Sequence, residues 1–201
     1  MVKKEPEIID GIRGTSGDVD GTPTATSPCK GRNKLMNATT IGLADDGKVS
    51  WSPAVDGNLL VTGGAGCGKT WWLTHTLIPA LDASGTRVCL YDGYVRRGYD
   101  EPMEGTVPVE DPMSVLNESD AVLIIDHVNP GIDDELALIE NMRDVQSDIP
   151  IILSVQLAPE PDRWDAWCKL HMLPSHETGL PRGRVGTWSA FLEASRKVLL
   201  P

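Results

Sequence analysis

The chain has 201 residues, enough for one α/β domain with a self-sufficient core or for a compact domain with a tail. Its formal net charge of −11 excludes a protein that coats nucleic acid by bulk attraction, although local basic patches or a pore in an assembly remain compatible with it. Four cysteines, Cys29, Cys67, Cys89 and Cys168, follow no regular spacing, which excludes a disulfide scaffold as the organising principle and points to a reducing, cytoplasmic setting.

The N-terminus, Met1-Val2-Lys3-Lys4-Glu5-Pro6, lacks the apolar core of a signal peptide, and no apolar run approaches the ~20 residues of a membrane-spanning helix. A soluble protein without a membrane segment is expected. Residues 1–38 are rich in Gly, Pro, Ser, Thr and Asp and read as a flexible arm. Asp18 and Asp20 beside Gly21 have the wrong glycine offset for a calcium loop, and Lys30, Arg32 and Lys34 are either solvated charge or a small contact for DNA or an acidic neighbour. Residues 39–201 form the domain. Two short apolar stretches around Asp45-Asp46-Gly47 predict a hairpin covering one edge or the nucleotide side of the core.

Asn58-Leu59-Leu60-Val61-Thr62 reads as the central strand. It runs into Gly63-Gly64-Ala65-Gly66-Cys67-Gly68-Lys69-Thr70, which fits the phosphate-loop pattern G-x-x-x-x-G-K-[ST] at every fixed position. Glycines let the backbone curl so that its N–H groups face phosphate oxygens, and the following helix adds its positive end. Lys69 would reach the β- and γ-phosphates of ATP, and the Thr70 hydroxyl would ligate Mg2+. The contacting set is therefore Gly63 to Thr70 with Trp71, while the Trp71 and Trp72 rings themselves read as core or subunit contacts. Leu73, Leu77 and Leu81 then recur at four-residue spacing along one helix face, which ends near Ser84-Gly85.

Arg87 to Asp92 is the next buried strand, so the helix between it and the central strand makes a βαβ unit and a mostly parallel sheet. Tyr94 to Glu110 reads as a polar loop in which Arg96 and Arg97 are either solvated or in contact with phosphate or DNA. A short helix is expected over Asp111 to Ser119. Ala121-Val122-Leu123-Ile124-Ile125-Asp126 is an apolar strand that delivers an acid to its carboxyl end, the Walker B arrangement for holding the magnesium shell. Asp133-Asp134-Glu135 opens a helix carrying Leu136, Ile139, Glu140 and Arg143. The strand Ile149 to Gln156 ends in an amide that either reads the γ-phosphate or attacking water, or merely terminates the strand. Further on, Cys168, His171 and His176 lack a fourth zinc ligand at a usual spacing, and a final β element with the apolar tail from Phe191 to Leu200 completes the sheet.

With these elements in place, the chain resembles the FtsK/SpoIIIE branch of the FtsK/HerA superfamily of P-loop motors. The resemblance covers roughly residues 40 to 190 and rests on the segments 42–49, 59–70, Ile124-Ile125-Asp126 and Ile151-Ile152-Leu153-Ser154-Val155-Gln156-Leu157-Ala158-Pro159. It implies a RecA-like P-loop NTPase fold with added β-hairpin elements and a homo-oligomeric, hexameric ring. It also implies Mg2+-dependent ATP hydrolysis that moves double-stranded DNA, with viral genome packaging or a non-motor ATP-binding switch as alternatives.

Two departures from the family pattern stand out. His127 follows Asp126 where the family carries a water-activating glutamate, so His127 itself, Glu135 or Glu140 could supply the base, or hydrolysis could be slow. The connection from Tyr91 to Asp126 is short and no DNA-orienting domain follows, which suggests a stripped form of the kind found in mobile elements and phages. An arginine finger would come from a neighbouring subunit; Arg143 is the family-like candidate, with Arg182 and Arg184 as the others.

Overall fold

The computed structural model describes residues 38–98, 101–129, 131–156, 164, 167–173, 182–187 and 196–200. The chain divides into two units, Met1–Lys30 and Gly31–Pro201, and every described residue belongs to the second. The arm expected over residues 1–38 lies outside the described residues up to residue 37.

Ten strands among the described residues form one sheet: β1 (Thr39–Ala44), β2 (Gly47–Trp51), β3 (Leu59–Thr62), β4 (Arg87–Asp92), β5 (Val107–Pro108), β6 (Ala121–Val128), β7 (Ile151–Val155), β8 (Cys168–Leu173), β9 (Arg182–Thr187) and β10 (Arg196–Leu199). Their order is β2-β1-β10-β9-β8-β3-β7-β6-β4-β5. From β8 to β5 every pairing is parallel, and from β2 to β8 every pairing is antiparallel. The expected α/β sheet is thus parallel where the crossovers lie. The hairpin expected around Asp45-Asp46-Gly47 is present and forms the edge.

Strand β7 stands between β3 and β6, so the loop strand and the acid-bearing strand are second neighbours rather than adjoining ones. That interposition aims the end of β7 between the loop and the acid. Both faces of the parallel half are covered, as such sheets require. Leu59, Val61, Val122, Ile124 and Ile152 face one apolar cluster, whereas Leu60, Leu123, Ile125, Ile151 and Leu153 face the other, following the two-residue alternation of side chains along a strand.

The first cluster is closed by a helical stretch made of α2 (Lys69–Trp72), a wider π turn (Leu73–Leu77) and α3 (Ile78–Ala83). Leu73, Leu77 and Leu81 are fully buried, as their spacing predicts. Pro79 stands two residues after the end of the π turn. Its missing N–H interrupts the ordinary hydrogen-bond ladder, which accounts for the widening. The stretch stops at Gly85, whose φ of 76° lets its N–H reach Asp82 O at 2.8 Å while Thr86 N–H reaches Leu81 O at 3.0 Å.

One local expectation changes. The helix expected over 111–119 is a single 3-10 turn, Pro112–Val115, capped by Asp111, whose side chain accepts the Met113 N–H at 3.0 Å. The remaining helices among the described residues are the one-turn α1 (Pro53–Asp56) and α4 (Gly93–Arg96), and α5 (Asp133–Asp144). In α5 the buried stripe is Glu135, Ile139 and Met142, while Leu136 is 39% exposed. Glu135 belongs to that stripe because its carboxylate is drawn inward by Arg97 and by the Asn129 N–H.

Candidate nucleotide site

A cleft of about 410 Å3 opens at the carboxyl ends of β3, β7 and β6, lined among others by Gly66, Lys69, Thr70, Asp126, His127 and Gln156. The loop between β3 and α2 has the curled backbone that its glycines predict. Gly66 and Gly68 take φ values of 71° and 97°, which a residue with a Cβ rarely adopts. Gly63 is needed for a different reason: a Cβ there would stand 2.5 Å from Cys67 Sγ and 2.8 Å from the backbone oxygen of Met172 on β8. Gly63→Ala is therefore expected to lower the urea-denaturation stability by about 1–3 kcal/mol, because a strand backbone cannot yield cheaply.

Lys69 Nζ donates to the carbonyl oxygens of Gly63 at 2.9 Å and Gly64 at 3.1 Å. The ammonium thus sits over the mouth of the loop. At the next residue, Thr70 Oγ1 donates to Asp126 Oδ2 at 3.0 Å, and His127 Nε2 lies 2.8 Å from the same hydroxyl. Thr70 and Asp126, 56 residues apart, meet as the phosphate-loop and Walker B readings require.

Two residues missed by the sequence reading stand at this site, Asp92 behind His127 and Ser154 in the lining of the cleft. Asp92, at the end of β4, lies in register with Asp126 and holds His127 Nδ1 at 3.1 Å from its Oδ1. It also accepts the N–H groups of Tyr94 and Val95, capping α4. Burial pushes the Asp92 carboxyl up, but His127, by hydrogen bond and charge, and the two amides outweigh burial and hold it below the ordinary carboxylate value. The signal was present in the sequence: β4, like β6, is a buried strand closing on an acid. The other missed residue is Ser154 on β7, 1% exposed, whose hydroxyl has no hydrogen-bond partner among the described residues although it lines the cleft.

His127 itself has a left-handed φ of 54° and stacks on Tyr94 with ring centroids 4.0 Å apart. Gln156 follows the last residue of β7 and lines the cleft. Glu135 does not line it; its carboxylate is bonded to Arg97 and to the Asn129 N–H, so it stands as a structural link behind His127 rather than beside the phosphate loop. Arg97, read earlier as solvated or phosphate-binding, also donates to His127 O at 2.9 Å and lies against the Tyr94 ring. Arg143 pairs with its neighbour Asp144 on an open helix face, and Glu140 is exposed. Arg143, Arg182, Arg184 and Glu140 are not among the residues lining the cleft. Trp71 is 42% exposed and stacks on His75, while Trp72 is fully buried.

His176 of the zinc reading lies outside the described residues, and Cys168 and His171 leave β8 on opposite faces, three positions apart. Burial pushes the Cys168 thiol up to about 12, with Asp56 adding to it. His171 instead shares a 2.9 Å hydrogen bond with Thr62 Oγ1. Burial first, then the positive charges of Lys169, Arg184 and Lys69, lower its pKa from the ordinary 6.5. As pH falls through 6.5 the unfolded chain takes up a proton that the folded chain resists, so this histidine reduces stability progressively below 6.5 and has no effect above it. His171→Gln is expected to flatten the fall of the urea midpoint between neutral and mildly acid pH.

The pattern of loop and acid implies magnesium, and the residues present suit it. A hydroxyl and a buried carboxylate converge at 3.0 Å, and the orphaned Ser154 hydroxyl stands ready for a metal-bound water. No protein-family profile and no curated protein matches the chain. Among solved structures, ATPases 2 and 3 of EccC from Thermomonospora curvata, in complex with a signal sequence peptide, match with a TM-score of 0.55 at 14% identity, over 83% of this chain and 41% of that one.

The chain has the fold of a P-loop ATPase domain. ATPases 2 and 3 of EssC from Geobacillus thermodenitrificans match with a TM-score of 0.48 at 14% identity, over 90% of this chain and 47% of that one. The genome packaging NTPase B204 from Sulfolobus turreted icosahedral virus 2, in complex with ATP-gammaS, matches with a TM-score of 0.42 at 16% identity, over 70% and 95%. The P-loop domain thus spans less than half the length of the EccC and EssC chains. Its fold agrees with the FtsK/HerA resemblance carried by residues 59–70 and 151–159. Among the described residues no helix is long and apolar enough to cross a membrane.

Proposed function

We propose that this P-loop domain binds Mg-ATP and hydrolyses its β–γ phosphoanhydride bond as one subunit of a cytoplasmic homo-oligomeric ring that moves double-stranded DNA. The supporting observation is the convergence on one cleft of Lys69, Thr70, Asp126 and Gln156, drawn from three separate segments of the chain. The loop amides and Lys69 bind the β- and γ-phosphates. Thr70 and Asp126 hold the metal, which when bound neutralises charge on the transferred phosphoryl group. Gln156, at the end of the strand interposed between loop and acid, orients the attacking water.

A non-motor ATP-binding switch is the second reading, favoured by two observations: Glu135 is tied to Arg97, and the residue after Asp126 is His127. Steady-state ATP hydrolysis measured with and without duplex DNA separates the two. Turnover stimulated severalfold by DNA supports the motor. Nucleotide binding without turnover supports the switch, and failure to bind Mg-ATP sinks both.

A further inference from the structure

Asp92, Asp126 and His127 are the one group of metal-ligating side chains gathered among the described residues, their ligand atoms all within 4.8 Å of one another. We propose that they bind a divalent transition-metal cation of the Mn2+ class directly, through two carboxylate oxygens and the His127 Nδ1, with no nucleotide required. This is a site different in kind from a water-mediated magnesium tether, and the only ligand the two have in common is Asp126.

Four observations carry the inference. First, spacing: Nδ1 stands 3.1 Å from Asp92 Oδ1 and 3.7 Å from Asp126 Oδ2. Donors each about 2.1 Å from a common ion, at octahedral or tetrahedral angles, are about 3.0–3.5 Å apart. All three ligand atoms lie within 4.8 Å of one another, so side-chain adjustments of about an ångström close them on a common ion.

Second, charge. His127 Nδ1 lies 3.1 Å from Asp92 Oδ1 and 3.7 Å from Asp126 Oδ2, and the two carboxylate side chains are only 4% and 2% exposed. Two buried acids thus converge on one ring nitrogen, and a divalent ion at that point balances both charges.

Third, preorganisation. Tyr94 stacks on the imidazole, Thr70 holds Nε2, and the Tyr94 and Val95 amides hold Asp92, which is the outer-shell support that fixes ligand orientation in metal sites. Fourth, Ser154 offers a buried hydroxyl without a partner among the described residues, in the same cleft as Asp126 and His127, where a water on the ion would satisfy it. The donor set names the class of ion. Magnesium takes oxygen ligands and keeps its waters, while imidazole with carboxylates suits manganese, cobalt or zinc.

The test titrates the untagged, metal-stripped full chain with Mn2+ alone and follows it by electron paramagnetic resonance. The expected result is one Mn2+ per chain, displaced by Mg2+ only in large excess, with electron spin echo modulation from a directly bound imidazole nitrogen. His127→Gln and Asp92→Asn should each weaken Mn2+ binding by about tenfold or more. Lys69→Ala should leave it unchanged while weakening ATP binding by roughly two to four powers of ten. Binding without nitrogen coupling, binding no tighter than that of Mg2+, or binding unaffected by both substitutions overturns the proposal. The nitrogen signal is read on the unaltered chain, so it decides the matter even if a variant fails to fold. A chain that shows that signal but does not bind ATP refutes the nucleotide function and leaves this site standing.

Discussion

Lys69→Ala is expected to weaken Mg-ATP binding by roughly two to four powers of ten and to abolish turnover. The ammonium is the one flexible cation of the phosphate loop, and its present partners are neutral, the carbonyl oxygens of Gly63 and Gly64 and, at 3.8 Å, Cys67 Sγ. Phosphate oxygens compete successfully for it because they add negative charge to the acceptor, and each such hydrogen bond to a charged group is worth about 1.5–3 kcal/mol. Losing two such contacts costs about 3–6 kcal/mol, which at 1.4 kcal/mol per decade gives the stated range. The fold should survive, since the three loop hydrogen bonds that disappear are at most partly buried; a thermal melt of the variant checks this. Isothermal titration with ATP and Mg2+ reads the affinity, and a variant that binds ATP within tenfold of the unaltered chain would remove the loop from the function. Lys69→Arg should rescue little, because a planar fork does not fit a pocket shaped for a point charge.

Trp72→Ala is expected to destabilise the domain by about 3–5 kcal/mol in urea denaturation, a large part of the ~5–15 kcal/mol that holds such a fold together. Trp72 is fully buried in the cluster between the helical stretch and the sheet, with Leu73, Leu77, Leu59 and Ile152 in the same cluster. Its indole N–H has no acceptor among the described residues, which by itself costs about 1–3 kcal/mol. The apolar burial of the ring outweighs that cost, and the balance predicts a second result. Trp72→Phe keeps most of the ring and deletes the orphaned donor, so it should lose no more than about 1.5 kcal/mol. If the phenylalanine variant proved as unstable as the alanine one, the ring would be held by something other than apolar packing. Since Trp72 closes the turn that begins with Lys69 and Thr70, the alanine variant should also lose nucleotide affinity at temperatures where it is still folded.

How much of this was legible beforehand depends on how far apart the cooperating residues lie in the chain. The loop, its lysine and threonine, and the leucines at 73, 77 and 81 are contiguous or one helical turn apart, so their spacing is their geometry. Asp126 and Gln156 were legible because a run of buried residues that stops at a polar one marks the carboxyl end of a parallel strand, where ligands are met. Which face of α5 is buried was not legible, because amphipathic spacing treats every carboxylate as solvent-facing, and Glu135 is turned inward by Arg97 and the Asn129 amide.

The sequence by itself determined that a phosphate-binding turn joins a buried strand to a helix, since backbone curvature and local charge there depend on adjacent residues alone. It also determined that two further buried strands end in a carboxylate and an amide. Strand order was decided only by the tertiary structure: β7 enters between β3 and β6, and Asp92 comes into register with Asp126 across β4 and β6. The pairing of Asp92 with His127 over 35 residues, and the orphaned hydroxyl of Ser154, follow from that order. The reason lies in the strands themselves. Buried on both faces, they are apolar almost throughout, so no alternation in the sequence records which neighbour each meets or which side chains share a face.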